Sequence, residues 1–241
     1  MDKIKKLPLF LALLLLFNCD KIPLSDSEIA AGLKSALEVG ANYALKTLGK
    51  EDGFFLDKTV KILLPNDVAN IVTQISNVPG FGILIKEIET QLILTINRAA
   101  EASIDGVIPI VIGAITDITI QDARSILFSS NEIAATDYLR EKTYEPLCGV
   151  CGSVIEGALT KKIVLNTSAQ DVWKRFTDCY YTVSSLPLVN LAPIETDLSL
   201  YATQKALDGV FLKIGDEEVK IRTDVSARVN DLLRRVFGQL D

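Results

Sequence analysis

Apolar residues recur along most of this chain at intervals of three and four, the spacing of helices that bury one face. The clearest start is Ser25-Asp26-Ser27-Glu28, a capping box in which Ser25 bonds the backbone at Glu28 and the Glu28 side chain reaches back. Ile29, Leu33, Ala36, Leu37, Ala44 and Leu48 follow at helical spacing, and Gly49 is expected to supply a left-handed stop. Phe54 to Leu64 carries a brief alternation at Val60, Ile62 and Leu64, expected to be a short extended segment.

The helical period then returns. Val68, Ile71, Val72 and Ile75 mark one helix ended by Pro79-Gly80, and Leu84 to Ala100 marks a longer one ended near Gly106. Val107 to Ile118 is apolar nearly all round, as in a buried helix. Thr119 to Asp122 reads as a cap before Ala123, Ile126 and Leu127, and Asn131 as the cap of a helix running toward Pro146. Pro146 suits the first turn of another helix with Leu147, Val150, Cys151, Val154, Ile155 and Ala158 on its face. Ser168 to Asp171 opens a helix that turns Val172, Phe176, Cys179, Tyr180 and Val183 inward, and Leu186 to Ile194 is a connecting loop. Asp197 to Ile214 and Asp224 to Phe237 complete about ten helices with no paired strands, which predicts one all-α domain over residues 26–238. No repeat, linker or second long apolar run interrupts it.

Ahead of that domain, Lys3, Lys5 and Lys6 precede an apolar run from Leu7 to Phe17, the order of a secretory signal. Eleven helical residues reach about 16 Å, roughly half of a hydrocarbon core, so residues 1–18 are expected to be removed. Leu16-Phe17-Asn18-Cys19 resembles the lipobox of bacterial lipoproteins, with Asn18 where Gly, Ala or Ser is usual. That resemblance implies acylation at Cys19, a short tether over residues 19–25, and a domain outside the cytoplasm on the inner or outer membrane of a diderm bacterium. Asp20 resembles an inner-membrane retention signal of enteric bacteria.

Charge narrows the function classes. The first 18 residues hold three lysines and one aspartate, so their removal takes the net charge from −6 to −8. That sign excludes a general nucleic-acid binder and leaves acyl chains as the main membrane attachment. There is no histidine. Ser-His-Asp and Cys-His nucleophile pairs and His-ligated zinc are therefore excluded, and no cofactor or metal is expected. Gly-rich phosphate loops are missing as well.

Several pieces of the chain, taken in order, resemble the bacterial envelope family known as domain of unknown function 4197. They are Gly32-Leu33-Lys34, Leu48 to Phe54, Val60-Lys61-Ile62 before Leu64-Pro65, Asn97 to Glu101, Thr119 to Ala123, and Ala134-Ala135-Thr136 leading to Tyr138 and Arg140. Lys205 to Gly209 with Phe211, Glu217 to Arg222, and Asp231 to Gly238 complete the set. Val225 and Val229-Asn230 depart from the family pattern at one helix start. The resemblance implies an all-α lipoprotein-like domain and lends no catalytic residues.

Cys148-Gly149-Val150-Cys151 is a C-x-x-C inside a helical face, with no βαβ pattern around it, which points to a local disulfide or a structural role over redox chemistry. Asn97, Arg98, Glu101, Asp122, Arg140, Asp208 and Arg222 are polar residues within apolar stretches and would form a polar pocket if they converge; helix-helix ion pairs and caps are the plainer alternative. Glu217-Glu218 with Lys220 and Arg222 reads as a solvated face. Arg228, Arg234 and Arg235 give the last helix a basic side. The expectation is a membrane-tethered binding or scaffold module that meets an envelope protein, with a carrier of an apolar ligand and an Asp/Glu/Arg enzyme as alternatives.

Overall fold

The capping box forms as expected in the computed structural model, which describes residues 23–117 and 119–241. The Glu28 N–H donates to Ser25 Oγ at 3.2 Å and the Ser25 N–H donates to Glu28 Oε2 at 3.0 Å. Helix α1 runs Asp26–Leu48 behind it. Leu24, expected in the tether, is buried, and its carbonyl accepts from Arg124 Nη2 at 2.9 Å. Gly49 ends the helix at φ −79, not in the left-handed region. A Cβ there would lie 2.9 Å from the Leu45 carbonyl and 3.3 Å from Ile104 Cγ2, so this glycine serves a close approach between helices.

The remaining helices are α2 (Asn66–Ser76), α3 (Gly82–Asp117), α4 (Ala123–Leu127), α5 (Ala134–Leu159), α6 (Ala169–Ser184), α7 (Leu198–Thr223) and α8 (Asp231–Phe237). Among the described residues there are thus eight α-helices where ten were expected, together with one 3-10 turn, Val225–Ala227. Two pairs have fused. α3 continues through Gly106 and Pro109, and α5 through Pro146. Both prolines face solvent, where a missing N–H and a displaced carbonyl are met by water. Gly106 is retained because a Cβ would sit 2.8 Å from Val154 Cγ1, so contact between α3 and α5 outweighs local helix propensity. At the other end, α7 runs on to Thr223, and the expected helix from Asp224 starts only at Asp231. Phe54 to Leu64 is mostly turns followed by an extended run, and no strand pairs with it; the only bridge among the described residues joins Val164 and Thr167.

The architecture is a helical bundle around α3, which packs against α1, α2, α5 and α6. α7 packs against both α1 and α5, and α8 closes over α1, so the first helix is covered by the last two. By length and composition α3 is apolar enough to cross a membrane, a property not recognised in the sequence, but half of its most apolar window is buried in this bundle. Ile85, Ile88, Leu92, Ile96, Ile104, Val107, Val111 and Ile115 form its core stripe.

Gly32 sets the α1–α8 approach, since a Cβ would fall 2.6 Å from Val236 Cγ2. Gly32→Ala is expected to cost about 1–3 kcal/mol by overpacking. Hydrogen exchange should localise the loss to α8, and unchanged protection there would contradict this account.

Candidate functional site

The polar residues picked out along the chain do not converge on one pocket. Six of the seven, all but Asp122, fall into three separate groups, and two of these groups hold backbone in place. On α3, Asn97 and Glu101 lie one turn apart and face the 50–64 segment. Asn97 is fully buried; its Oδ1 accepts the Ile62 N–H at 2.9 Å and its Nδ2 donates to the Ile62 carbonyl at 2.7 Å. Glu101 Oε1 accepts the N–H groups of Phe54 and Phe55, both at 3.0 Å. Arg98 completes the group with contacts to Glu101 Oε2 at 2.7 Å and Asp52 Oδ1 at 2.6 Å. An unpaired segment that lacks a sheet partner thus has its buried backbone groups satisfied by side chains.

The second group lies on α7, where Glu218 is 0% exposed and Arg222 7%. This corrects the expectation of a solvated face. Glu218 accepts from the Ala135 N–H at 3.0 Å and from the Thr136 N–H and hydroxyl, each at 2.7 Å. α5 has no side-chain cap of its own at Ile133, so a carboxylate from another helix caps it. Arg222 bonds Glu218 at 2.9 Å and donates to the carbonyls of Leu127 at 2.8 Å and Ile126 at 3.1 Å, closing the C-terminal end of α4. One ion pair therefore terminates two helices, each with the sign that the helix dipole favours. Arg228 acts likewise on α7: it is buried, donates to Ile221 and Arg222 carbonyls, and pairs with Asp241. It is not part of a basic surface, and Arg234 and Arg235 pair with Asp231 and Glu28.

The third group lines a groove of ≈ 600 Å³ between the 59–66 segment, α5 and α7. Asp208 Oδ1 accepts from Arg140 and, at 3.0 Å, from the Tyr144 hydroxyl, while Asp208 Oδ2 lies 3.5 Å from Lys205 Nζ. The Arg140 guanidinium stands 4.6 Å from the Tyr144 ring and 5.5 Å from that of Phe211, so cation–π contact and ion pairing fix it together. Burial and the Asp208 carboxylate both push the Tyr144 hydroxyl above its usual pKa, which keeps it a donor. Across the groove, Lys61 Nζ lies 4.1 Å over the Phe55 ring, and Tyr201 donates to the Leu63 carbonyl at 2.7 Å. Asp137 also lines the groove, its Oδ2 accepting from Asn131 at 2.8 Å.

Sequence reasoning named Arg140 and Asp208 for a site but not Lys61, Tyr201 or Lys205. Two pairings had a usable signal: Arg140 and Tyr144, and Lys205 and Asp208, share helix faces at i,i+4 and i,i+3. Lys61 had none, because its place depends on how Asn97 holds Ile62.

Next to the groove, Lys213 on α7 pairs with Asp57 at 2.7 Å and donates to Thr59. Burial alone would raise the Asp57 pKa, but hydrogen bonds from Lys213 and Thr59 outweigh it and hold the carboxyl at about 2. A carboxyl depressed on folding adds stability above its unfolded pKa of about 3.9 and loses it as pH falls toward 2. Asp57→Asn is thus expected to be less stable than the parent at pH 5, with the gap closing by pH 2 in denaturant titrations; a pH-independent gap would contradict the pairing.

The other singled-out positions carry less. Asp122 is left-handed at φ 54, and its side chain makes no cap bond to α4. Asn131 lies two residues ahead of the α5 cap position and accepts the Ile133 N–H instead. Cys148, Cys151 and Cys179 are free thiols, and burial pushes Cys151 up to about 11 and the other two upward, which makes them poor nucleophiles. Among the described residues no group of three or more Cys, Asp or Glu is placed to hold a metal ion. Cys19 and the segment read as a signal lie outside the described residues.

A family model described as "Protein of unknown function (DUF4197)" matches residues 23–238. No curated protein and no solved structure matches the chain.

Proposed function

The chain belongs to the DUF4197 family of proteins of unknown function, and from that premise we propose that it is a non-catalytic binding module held at a bacterial membrane by an acylated Cys19. Its binding surface is the groove around Arg140 and Asp208. The observation that carries this reading is the division of labour among the charged groups. The buried ones, Glu101, Glu218, Arg222 and Arg228, are committed to backbone groups and to ion pairs, and the two carboxylates that line the groove are already engaged, Asp208 by Arg140 and Tyr144 and Asp137 by Asn131. The groove, by contrast, presents half-exposed cations and the partly exposed Tyr201 ring to solvent. The depressions of ≈ 660, ≈ 600 and ≈ 520 Å³ all open to solvent and all have charged residues in their walls, which favours a polar partner over an apolar ligand carried inside the bundle.

Two measurements test the reading. Mass spectrometry of the mature N-terminus should find acylated Cys19, and an unmodified or uncleaved terminus would remove the anchor. A photocrosslinker at Leu212 on the groove should give an adduct in cells that is lost when Lys61 and Lys205 are both changed to glutamate. An adduct no stronger than that from Leu165, which lies elsewhere on the surface, would remove the groove from the proposal.

A further inference from the structure

We infer that the groove between the 59–66 segment, α5 and α7 binds a small organic anion, a phosphate or carboxylate carried on an apolar or aromatic body. This deepens the binding reading above and rests on it. Three cationic side chains, Lys61, Arg140 and Lys205, line the groove against two carboxylates, Asp137 and Asp208, on a chain whose net charge is −6. The excess of positive charge is therefore local and runs against the overall field.

Asp208 does not cancel that excess; it organises it. Its two oxygens hold Arg140 and Lys205 on adjacent sides of one carboxylate. The guanidinium has only that one hydrogen bond among the described residues, so most of its planar fork of donors faces outward, in the form that suits a second oxyanion. Lys61 makes no ion pair among the described residues and lies against the Phe55 ring. A lysine fixed over an aromatic face loses little further freedom when an anion arrives.

The remaining walls specify what carries the anion. Leu63 is 58% exposed and Leu212 41%, and both border the groove beside the Tyr201 ring. Apolar surface next to paired cations favours an amphiphilic anion over inorganic phosphate, because covering the leucines adds a hydrophobic contribution that a bare ion cannot supply. The volume, ≈ 600 Å³, falls within the range of small-molecule sites. Such an anion has two sources, a free organic anion or a phospholipid headgroup.

The test is calorimetric titration of the full chain, held by its own anchor in phosphatidylcholine nanodiscs, with phenyl phosphate, benzoate, inorganic phosphate and short-chain dihexanoyl phosphatidylglycerol. Phenyl phosphate or benzoate is expected to bind more tightly than inorganic phosphate, and Lys61→Glu with Lys205→Glu to weaken that binding by about tenfold or more. Lys162→Glu, a charge reversal on another surface, should leave it unaltered, and thermal melts of each variant establish that it is folded. Binding of the phosphatidylglycerol alone, with the same loss in the groove variants, supports the inference and identifies the headgroup as source. No binding by any probe, or equal loss in Lys162→Glu, overturns it. If a groove crosslink at Leu212 persists while every anion fails, the inference falls and the binding reading stands.

Discussion

Replacing Glu218 by alanine is expected to destabilise the protein by about 3–5 kcal/mol, the cost of leaving a buried charge without its partner. Arg222 would remain 7% exposed with only carbonyls to meet its charge, and the N–H groups of Ala135 and Thr136 would lose their acceptor. For a domain of this size the melting temperature should fall by roughly 10 °C. A second variant separates charge from capping. Glu218→Met with Arg222→Met removes the unpaired charge, and buried ion pairs replaced by apolar residues are often neutral. Here recovery is expected to be incomplete, because the first turn of α5 and the last carbonyls of α4 stay without partners at about 1–3 kcal/mol per buried group. Full recovery would show that the pair does not act as a double cap. A loss below 1 kcal/mol in Glu218→Ala would show that water reaches the site.

Asn97→Ala is expected to cost about 2–4 kcal/mol, since both backbone groups of Ile62 would be left buried and unbonded. Its second consequence bears on the groove. Ile62 adjoins Lys61, so freeing this residue from α3 releases one wall while Arg140 and Lys205 stay on their helices. Far-ultraviolet circular dichroism should hardly change, because the released segment is not helical. Protection of the amides from Thr59 to Leu64 against exchange should fall, and the melting temperature with it. Asn97→Asp offers a comparison: it retains the acceptor for the Ile62 N–H, loses the donor to the carbonyl, and buries a carboxylate. If both variants keep wild-type protection at Ile62, the asparagine does not hold the segment.

Much of the bundle was legible in the periodicity. Ser25 forms the capping box that its spacing predicts, Ser168 stands at the start of the helix it was expected to open, and the apolar faces of α1, α2 and α6 are the buried ones. The errors share a cause. Gly106, Pro109 and Pro146 are local stop signals, and whether a helix stops there depends on neighbours distant in sequence, such as Val154 against Gly106. Glu217-Glu218 with Lys220 and Arg222 has the composition of a solvated turn. Only the packing of α4 and α5 over one side of it takes Glu218 and Arg222 out of water while Lys220 remains near the surface. The site divides in the same way. Arg140 and Asp208 were recognisable as polar residues in apolar stretches, but their separation from Asn97 and Arg222 is a tertiary fact. The contribution of Lys61 required knowing that an irregular segment is fastened to α3.

The placement of α1 between α7 and α8 has a kinetic consequence. Helices distant in sequence are brought together, so the part of the α1 surface that faces α7 and α8 cannot be covered until the last forty or so residues arrive. Contacts this distant along the chain carry a loop-closure cost before they return any stability, which slows folding. Until then the α1 surface around Gly32 and Gly40, which packs against Val236 of α8 and Ile214 of α7, remains available to other exposed chains. A chain stopped after Thr223 lacks α8 and leaves Gly32 facing solvent. The arrival of α7 and α8 is thus the event that closes the fold, and the time a nascent copy spends waiting for them is its period of greatest exposure to aggregation.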